Sequence, residues 1–353
     1  MEDILPIQTQ SLASATRDAS TTLQYHASED SPNRVLNPKS RVVSEKAHLD
    51  DSALIAPAQY IASLPSKNIR TMLVDALNVW FQLAPKELQV IKEIVTDLHN
   101  STLILDDIQD DSPLRRGSPA THIIFGSAQC INTATYMVIE ATRKLQGYPH
   151  IIAEFLNSLS QLALGQSWDL NWKHSAHCPS VPEYTTMIDG KTGAMFKMLV
   201  HMMAGLTSTP SAWPLPELDR LTELLGRWFQ VRDDYQNLRD DMYTEQKGFF
   251  EDLDEGKLSY PVILCCELDS TAREIILESF LRDRQQGKPL APAQKLKIIK
   301  LIRSSGALFE TWQTIQHLMK ETQAALSVVE ACIGIPNPPI RLVVHLLSEV
   351  CAP

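Results

Sequence analysis

The chain has 353 residues, of which 44% are hydrophobic and 21% are charged, as in an ordinary globular protein with one large core or two small ones. Its formal net charge of −10 at pH 7 argues against nucleic acid as a partner, because phosphate backbones bind clustered Lys and Arg. There is no apolar run near the roughly 20 residues of a membrane span, and the start, MEDILPIQTQ, is unlike a signal peptide. Six scattered cysteines without a CxxC pair are typical of reduced thiols, so we expect a cytoplasmic protein.

Residues 1–55 are rich in Ser, Thr, Asp and Asn, and their few apolar residues are isolated. Such a segment cannot bury enough surface to offset the entropy of ordering, so we expect a disordered N-terminal tail over 1–55. From there on, the apolar residues follow a helical period interrupted by Pro and Gly, and no run alternates as a strand does. The predicted helices lie near residues 58–64, 68–83, 86–110, 120–145, 149–172, 182–206, 216–241, 259–268, 271–284, 292–303, 306–332 and 338–350. We therefore predict an all-α protein with a single domain over residues 56–353.

Two aspartate clusters each end a predicted helix that is apolar nearly all round. Asp106 and Asp110 are four residues apart, so both carboxylates project from one helical face, and Asp233 and Asn237 repeat this spacing. Like charges this close repel each other, and a cation between them would relieve the repulsion. Oxygen ligands without nearby His or Cys favour a hard ion such as Mg²⁺, which commonly binds substrate phosphates as well. One acidic face is often merely solvated, but two in equivalent positions favour a metal site.

Several side chains that could bind phosphate lie near these clusters. The candidates are Lys67, Arg70, His99, Arg115 and Arg116 around the first cluster, and Lys191, Thr192, Lys247 and Lys257 around the second. Guanidinium groups bind diphosphate through paired hydrogen bonds, and a helix start favours anions. Each candidate alone has an ordinary alternative, because surface arginines are usually solvated, a single helical His is usually structural, and loop lysines form surface ion pairs. Their combination with two aspartate clusters favours a diphosphate site.

Five segments of the chain together resemble a known family. They are DDIQDDSPLRRGSPATHIIFG, GQSWDLNW, DGKTGAMF, FQVRDDYQNL and KGFFEDLDEGKLSYP. In this order and spacing they resemble the trans-isoprenyl diphosphate synthases, and more narrowly they look like fungal-type geranylgeranyl diphosphate synthases. The resemblance runs from about Pro57 to the end of the chain. It implies a homodimer whose subunit is an isoprenoid synthase bundle of mostly antiparallel helices around a central cavity, with the two aspartate motifs facing each other across its mouth.

The resemblance also implies a role for each matching residue. The implied catalytic residues are Asp106, Asp110, Asp233 and Lys191, and the implied Mg²⁺ ligands, for three ions per site, are Asp106, Asp110 and Asp233. The positions that match the allylic diphosphate pocket are Arg115, Lys191, Thr192, Gln230, Asn237, Lys247 and Lys257. Those that match the metal-free pocket for isopentenyl diphosphate are Lys67, Arg70, His99 and Arg116. The implied reaction condenses isopentenyl diphosphate with dimethylallyl, geranyl or farnesyl diphosphate to geranylgeranyl diphosphate, a precursor of diterpenoids.

The length of the product is inferred from the two positions that lie four and five residues before Asp106. Synthases that stop at farnesyl usually carry aromatic residues there, whereas this chain has Thr102 and Ser101. These small side chains leave room for a longer product. Trp80 and Phe81, on a neighbouring predicted helix, are candidates for the floor of the cavity, although an aromatic pair on a helix is more often part of an ordinary core.

Three alternative functions stay open at this point. A synthase of another chain length, making farnesyl or geranylfarnesyl diphosphate, would differ only in its cavity. A class I terpene cyclase also combines an aspartate motif with a second metal triad, and Asp233, Asn237 and Asp241 have the spacing of that triad. However, a cyclase has no use for a second diphosphate pocket. A non-catalytic partner subunit typically lacks one aspartate motif, and both are present here.

Overall fold

The computed structural model describes residues 50–66, 68–207, 213–238, 250–286, 290–348 and 350–353. The expected tail before residue 50, Lys67 and Lys247 therefore lie outside the described residues. Residues from Asp50 to the end form one compact unit. Within the described ranges this unit is almost entirely helical, which confirms the prediction of an all-α protein.

The helices are α1 (Ser52–Ser63), α2 (Ile69–Phe81), α3 (Pro85–Gln109), α4 (Thr121–Phe125), α5 (Ser127–Lys144), α6 (Pro149–Ser175), α7 (Val181–Ile188), α8 (Ala194–Leu206), α9 (Leu215–Asn237), α10 (Glu251–Asp254), α11 (Tyr260–Leu268), α12 (Ser270–Gln286), α13 (Pro292–Ser304), α14 (Ala307–Ile333) and α15 (Pro338–Ser348). A π-helical segment, Asp189–Gly193, joins α7 to α8 and is called the π segment below. Across the described ranges, none of these helices combines the length and the apolar character needed to cross a membrane.

The structure departs from the predicted helices near residues 52–55 and at Gly126. α1 already includes residues 52–55, which the composition had assigned to the tail. The helix predicted over 120–145 is interrupted at Gly126, whose φ of 78° lies in the left-handed region and ends α4 before α5 begins. A single glycine inside an apolar helical pattern leaves a weak signal, so the periodicity alone does not reveal this break.

A short antiparallel hairpin follows α3 and carries the arginine pair. Strand β1 (Leu114–Arg115) pairs with β2 (Ser118–Pro119), with Arg115 opposite Ser118. Arg116 and Gly117 form the turn, and both have positive φ, 55° and 78°. Strands of two residues are too short to produce an alternating pattern, so they could not be predicted from the sequence.

The two aspartate-bearing helices, α3 and α9, lie in the interior of the bundle, as their apolar character predicts. α3 packs along α5, α9 packs along α14, and α6 packs along α8. Trp228 of α9 and Leu98 of α3 are almost completely buried. Trp80 and Phe81 also belong to this core: Trp80 Nε1 donates to the backbone oxygen of Ile335 at 2.9 Å.

The π segment is held between two helices at distances that only glycine allows. A Cβ atom on Gly165 of α6 would lie 2.3 Å from the backbone nitrogen of Lys191. A Cβ atom on Gly226 of α9 would lie 2.7 Å from Cα of Gly193. Both distances are far below van der Waals contact, so any side chain at either position would push the π segment away. These crossings fix the segment that carries Lys191.

Candidate active site

The first aspartate cluster, at the C-terminal end of α3, points in two directions. Asp107 is fully buried and forms an ion pair with Arg115, whose Nε donates to Asp107 Oδ1 at 2.8 Å. The hairpin thus folds an arginine back onto the cluster. Asp106 and Asp110, one helical turn apart, instead meet side chains of α6 and the π segment.

Asp106 is surrounded by positive charge. Its Oδ1 accepts a hydrogen bond from Gln166 Nε2 at 3.0 Å and lies 3.6 Å from Lys191 Nζ. Burial alone would raise the pKa of Asp106, but the charges of Lys191, Arg115 and Lys173 hold it below its ordinary value. The carboxylate is therefore ionised at neutral pH and can accept a cation.

Asp110 forms an ion pair with Lys173 that is almost entirely buried between α3 and α6. Burial and the charge of Asp106 raise the pKa of Asp110, although Lys173 opposes this shift. Glu255, which accepts a hydrogen bond from Ser112 Oγ at 3.3 Å, adds a further carboxyl group. Burial and the charge of Asp110 raise the pKa of Glu255 well above its ordinary value. A further cation would therefore stabilise the ionised forms of Asp110 and Glu255.

The π segment directs Lys191 and Thr192 to the same region. Lys191 Nζ lies 2.5 Å from Asp169 Oδ2 on α6. Burial would lower the pKa of Lys191, but the charges of Asp169 and Asp106 raise it. Thr192 Oγ1 donates to Gln230 Oε1 on α9 at 2.9 Å. The structure thus brings Lys191, Thr192 and Gln230 side by side.

The adjacent residues Asp233 and Asp234 of α9 have different surroundings. Asp234 is fully buried, and its Oδ1 accepts a hydrogen bond from Gln230 Nε2 at 3.0 Å and lies 3.1 Å from Lys257 Nζ. Asp233 is only partly buried. Asn237, one turn after Asp233, is buried, and its Oδ1 has no hydrogen-bond partner in the part of the chain that the structure describes.

Lys257 connects the two aspartate clusters electrostatically. Its charge is one of those that lower the pKa of Asp106 at the first cluster. Burial would lower the pKa of Lys257 itself, but Asp234 and Asp252 raise it well above its ordinary value, with a smaller contribution from Asp233. The two clusters and their lysines therefore form one region, which we call the carboxylate site.

A separate pocket lies beside the start of α2 and the middle of α3. Its described lining residues are Ala62, Ser66, Asn68, Arg70, Thr71, Val74, Lys92, Val95, Thr96, His99, Asn100 and Arg116. None of these residues carries a carboxylate, and we call the pocket the basic pocket. Burial and the charge of Arg116 lower the pKa of Arg70 to about 10. Burial and the charges of Arg70 and Arg116 lower the pKa of His99 well below its ordinary value, so His99 is neutral at pH 7.

Ser101 and Thr102 occupy different faces of α3. Ser101 is fully buried, and its hydroxyl donates to the backbone oxygen of Ala134 on α5 at 3.1 Å. Thr102 is exposed, and its hydroxyl donates to the backbone oxygen of His99 at 2.8 Å. Because Thr102 lies one turn before Asp106, only Thr102 of this pair shares the face of the carboxylate site.

Several polar residues of the carboxylate site were not predicted from the sequence. On α6 these are Gln166, Asp169 and Lys173, which contact Asp106, Lys191 and Asp110 respectively. A signal was present, since these α6 residues are three and four positions apart and so share a helical face. Tyr184, whose hydroxyl donates to Asp234 at 2.5 Å, gave no such signal because a single tyrosine in a helix is usually core.

Comparison with known proteins identifies the family. A profile of the polyprenyl synthetase family matches residues 51–297. The chain belongs to the polyprenyl synthetase family. This confirms the predicted family, and the all-α bundle is the isoprenoid synthase fold.

Several relatives of this polyprenyl synthetase are fungal proteins named for terpenes. Fusoxypene synthase of Fusarium oxysporum is 43% identical over 318 residues, which cover 88% of this chain and 44% of that protein. Sesterfisherol synthase of Neosartorya fischeri is 41% identical over 305 residues, covering 84% and 39%. Ophiobolin F synthase of Aspergillus calidoustus is 39% identical over 307 residues, covering 85% and 42%. The chain thus spans less than half the length of these relatives, and their names do not include geranylgeranyl diphosphate.

Proposed function

We propose that this polyprenyl synthetase condenses isopentenyl diphosphate with allylic diphosphates, up to farnesyl diphosphate, and that its product is geranylgeranyl diphosphate. The observation that best supports this proposal is the coexistence of two different sites for anions. The carboxylate site suits a diphosphate that arrives with metal ions, and the basic pocket suits a second diphosphate without metal. A reaction between two diphosphate substrates needs both.

The donors of the carboxylate site fit Mg²⁺. Asp106 and Asp110 offer carboxylate oxygens from one helical face, and Asn237 Oδ1 is a buried acceptor without a partner in the described ranges. Among the described residues, no group of three or more His, Cys, Asp or Glu side chains is arranged to hold an ion. Mg²⁺ commonly takes only one or two carboxylates, with water and substrate phosphates as its other ligands. We propose Asp106, Asp110 and Asp233 as its ligands.

Bound there, Mg²⁺ would supply the positive charge that stabilises the allylic diphosphate as a leaving group. Lys191 and Lys257 would add two ammonium groups to the same diphosphate, and Thr192 and Gln230 would orient it through hydrogen bonds. Arg115, Asn237 and Lys247 complete the proposed allylic pocket. Exclusion of water by the surrounding helices would prevent the allylic cation from forming an alcohol.

The second substrate would be bound in the basic pocket. We propose that Arg70, His99 and Arg116, with Lys67, bind the diphosphate of isopentenyl diphosphate. Because His99 and Asp106 lie two turns apart on the same face of α3, the double bond of the second substrate can approach the allylic carbon. The new carbon–carbon bond forms as the allylic C–O bond breaks, and the departing diphosphate accepts the proton that is then lost.

We also propose that the protein is a homodimer. Ile123, Ile124, Ile131 and Ile139 of α4 and α5 are 57%, 49%, 46% and 51% exposed. So many large apolar side chains on adjacent helices are unusual at a free surface and typical of a surface that a partner covers. Sedimentation of the full chain tests this proposal, and a monomer at micromolar concentration would contradict it.

A terpene cyclase is the second candidate, because the relatives are named for terpenes. The deciding experiment incubates the full chain and Mg²⁺ with isopentenyl diphosphate and each allylic diphosphate, and separates the products by chain length. We expect geranylgeranyl diphosphate from all three allylic primers. Products that end at farnesyl or extend to geranylfarnesyl would correct the chain length. Consumption of geranylgeranyl diphosphate alone, with release of a hydrocarbon, would establish the cyclase instead.

A further inference from the structure

Both carboxylate oxygens of Asp234 are contacted by donors from other parts of the chain. Its Oδ2 accepts the hydroxyl of Tyr184 at 2.5 Å and the backbone N–H of Tyr260 at 2.8 Å. Its Oδ1 accepts Gln230 Nε2 at 3.0 Å and faces Lys257 Nζ at 3.1 Å. Four donors surround a side chain that is fully buried. Asp234 is therefore committed to protein contacts, and it is more deeply buried than its neighbour Asp233.

The donors of Asp234 come from separate elements that carry, or directly adjoin, residues of the proposed allylic pocket. Tyr184 belongs to α7, which continues directly into the π segment with Lys191. Gln230 belongs to α9, and Lys257 precedes α11. The contact chain extends from Asp234 through Gln230 to Thr192, at 3.0 and 2.9 Å. Asp234 thus joins the elements that bear the allylic-pocket side chains.

Tyr184 is the donor of Asp234 that can be changed without touching a proposed ligand residue. Its side chain is almost fully buried, and its ring packs edge-on against Tyr260 with centroids 5.5 Å apart. Burial and the negative charge of Asp234 raise the pKa of Tyr184 well above its ordinary value, so its hydroxyl keeps its proton and donates it. The contact is a short, charge-assisted hydrogen bond in a dry environment.

We propose that Tyr184 is a positioning residue for the allylic diphosphate and acts through Asp234, an inference that rests on the proposed function. The carboxylate of Asp234 and an incoming diphosphate compete for the ammonium group of Lys257. The hydroxyl of Tyr184 satisfies part of the charge of Asp234, which leaves Lys257 freer to contact the diphosphate. It also fixes the orientation of Asp234, and hence the amide of Gln230.

The test compares Tyr184→Phe with a matched control, Tyr260→Phe. The control also removes one buried-ring hydroxyl, but that hydroxyl lies 3.3 Å from Thr314 Oγ1, and the backbone N–H of residue 260 still reaches Asp234. We expect Tyr184→Phe to raise the KM for farnesyl diphosphate about tenfold and to leave the KM for isopentenyl diphosphate within about twofold, as loss of a charged hydrogen bond to one pocket implies. Tyr260→Phe should change neither constant.

A purely structural role would give a different pattern. Lower thermal stability with unchanged KM values, or an equal rise in both KM values, would overturn the proposal. Asp234→Asn is a second variant that keeps the size of the side chain if Tyr184→Phe does not fold. Asp234→Asn should weaken the binding of farnesyl diphosphate without raising the Mg²⁺ concentration needed for half-maximal rate. A raised Mg²⁺ requirement would show that Asp234 is a metal ligand, and the proposal would be wrong.

Calorimetry with inorganic pyrophosphate separates this inference from the proposed function. We expect Mg²⁺-dependent pyrophosphate binding that is about tenfold weaker in Tyr184→Phe than in Tyr260→Phe. If the wild-type protein binds pyrophosphate in this way but condenses no substrates, the proposed function fails while the role of Tyr184 is still supported. If both variants bind pyrophosphate equally, or the wild-type protein shows no Mg²⁺-dependent binding, the role of Tyr184 is refuted.

Discussion

The carboxylate site and the basic pocket differ in how their positive charge is held. In the carboxylate site, the cations are paired with buried or partly buried carboxylates. The pairs are Lys173–Asp110, Lys191–Asp169, Lys257–Asp234 and Arg115–Asp107. In the basic pocket, Arg70, His99 and Arg116 face no carboxylate among its described lining residues. A cation paired within its own site must be released from its carboxylate before it can bind a phosphate, whereas the described lining of the basic pocket contains no carboxylate that would compete with a phosphate.

This difference explains why one site would require metal ions and the other would not. A diphosphate that enters a region of balanced or excess negative charge is repelled unless further cations accompany it. In the basic pocket the charges repel each other, and this repulsion adds to burial in lowering the pKa of Arg70 and of His99. An anion relieves that repulsion directly.

Removal of the metal or of its ligands should abolish turnover but spare the basic pocket. Asp106→Ala and Asp233→Ala should each lower kcat by about 10²–10³-fold, as loss of a well-placed electrostatic stabiliser does. A chelator should stop turnover, and added Mg²⁺ should restore it, without affecting metal-free binding of isopentenyl diphosphate measured by calorimetry. Glu278→Ala, which removes an exposed carboxylate of α12, is the control. Near-normal turnover in either aspartate variant would contradict the assignment of the two clusters.

Substitutions of single cations should separate the two sites by substrate. Lys191→Ala should raise the KM for the allylic diphosphate, and Arg116→Ala should raise the KM for isopentenyl diphosphate. Loss of one charged hydrogen bond is worth about 1.5–3 kcal/mol, or roughly ten- to a hundredfold in affinity. Steady-state kinetics with one substrate varied at a time measures both constants. If each variant affected both substrates equally, the contrast between the sites would fail.

Helical periodicity was enough to predict much of this arrangement. The spacing of Asp106 and Asp110 predicted a shared face, and the structure shows both meeting α6 or the π segment. Asp107 is offset from Asp106 by about 100° around the helix, which by itself indicates a different neighbour. That this neighbour would be Arg115 depends on the β1–β2 turn, which is too short to leave a sequence pattern.

Other features of the site depend on tertiary packing that periodicity does not encode. Asp233 and Asp234 look equivalent in the sequence, yet only Asp234 is enclosed by Tyr184 and Tyr260, which are distant in the chain. The π segment is equally hidden, because it follows from close helix crossings at glycines on α6 and α9. Periodicity predicts the faces of a helix, whereas the partners of each face are set by the whole bundle.

The basic pocket should bind its ligand more tightly as the pH falls. The pKa of His99 lies well below its ordinary value in the free protein, because of burial and the nearby arginines. A bound diphosphate would raise this pKa, so His99 would take up a proton on binding. Affinity should therefore decrease as the pH rises through the pKa of the complex, by at most tenfold per pH unit for one proton. The lysines of the carboxylate site have raised pKa values and stay protonated at neutral pH, so they should contribute no comparable dependence.

Calorimetry of isopentenyl diphosphate between pH 6 and 8, in buffers of different ionisation enthalpy, measures this proton uptake. His99→Gln is the matched control, because it keeps a polar side chain that does not titrate. Any pH dependence of the affinity that comes from titration of the ligand itself is retained in this variant. We expect the pH dependence of His99→Gln to be weaker than that of the wild-type protein. Identical profiles for the two proteins would show that His99 does not titrate on binding.

Substitutions in the part of α3 between the two sites should change the rate least, but they should change the chain length of the product most clearly. Thr102 lies on α3 three residues after His99 of the basic pocket and four before Asp106 of the carboxylate site. Its exposed side chain has room for a ring, so Thr102→Phe should shorten the product to farnesyl diphosphate while the first condensation proceeds normally. Ser101→Phe is the contrasting variant, because Ser101 is packed against Ala134 of α5. A ring there should overpack the α3–α5 contact and cost about 1–3 kcal/mol of stability.

Product chromatography and thermal unfolding of both variants distinguish these outcomes. We expect a shorter product at unchanged melting temperature for Thr102→Phe, and a lower melting temperature for Ser101→Phe. If Ser101→Phe shortened the product at normal stability while Thr102→Phe did not, the growing chain would run along the α5 side of α3. The face of α3 that joins the two diphosphate sites would then not be the face that limits the chain length of the product. The two functions of this helix would have to be assigned to opposite sides.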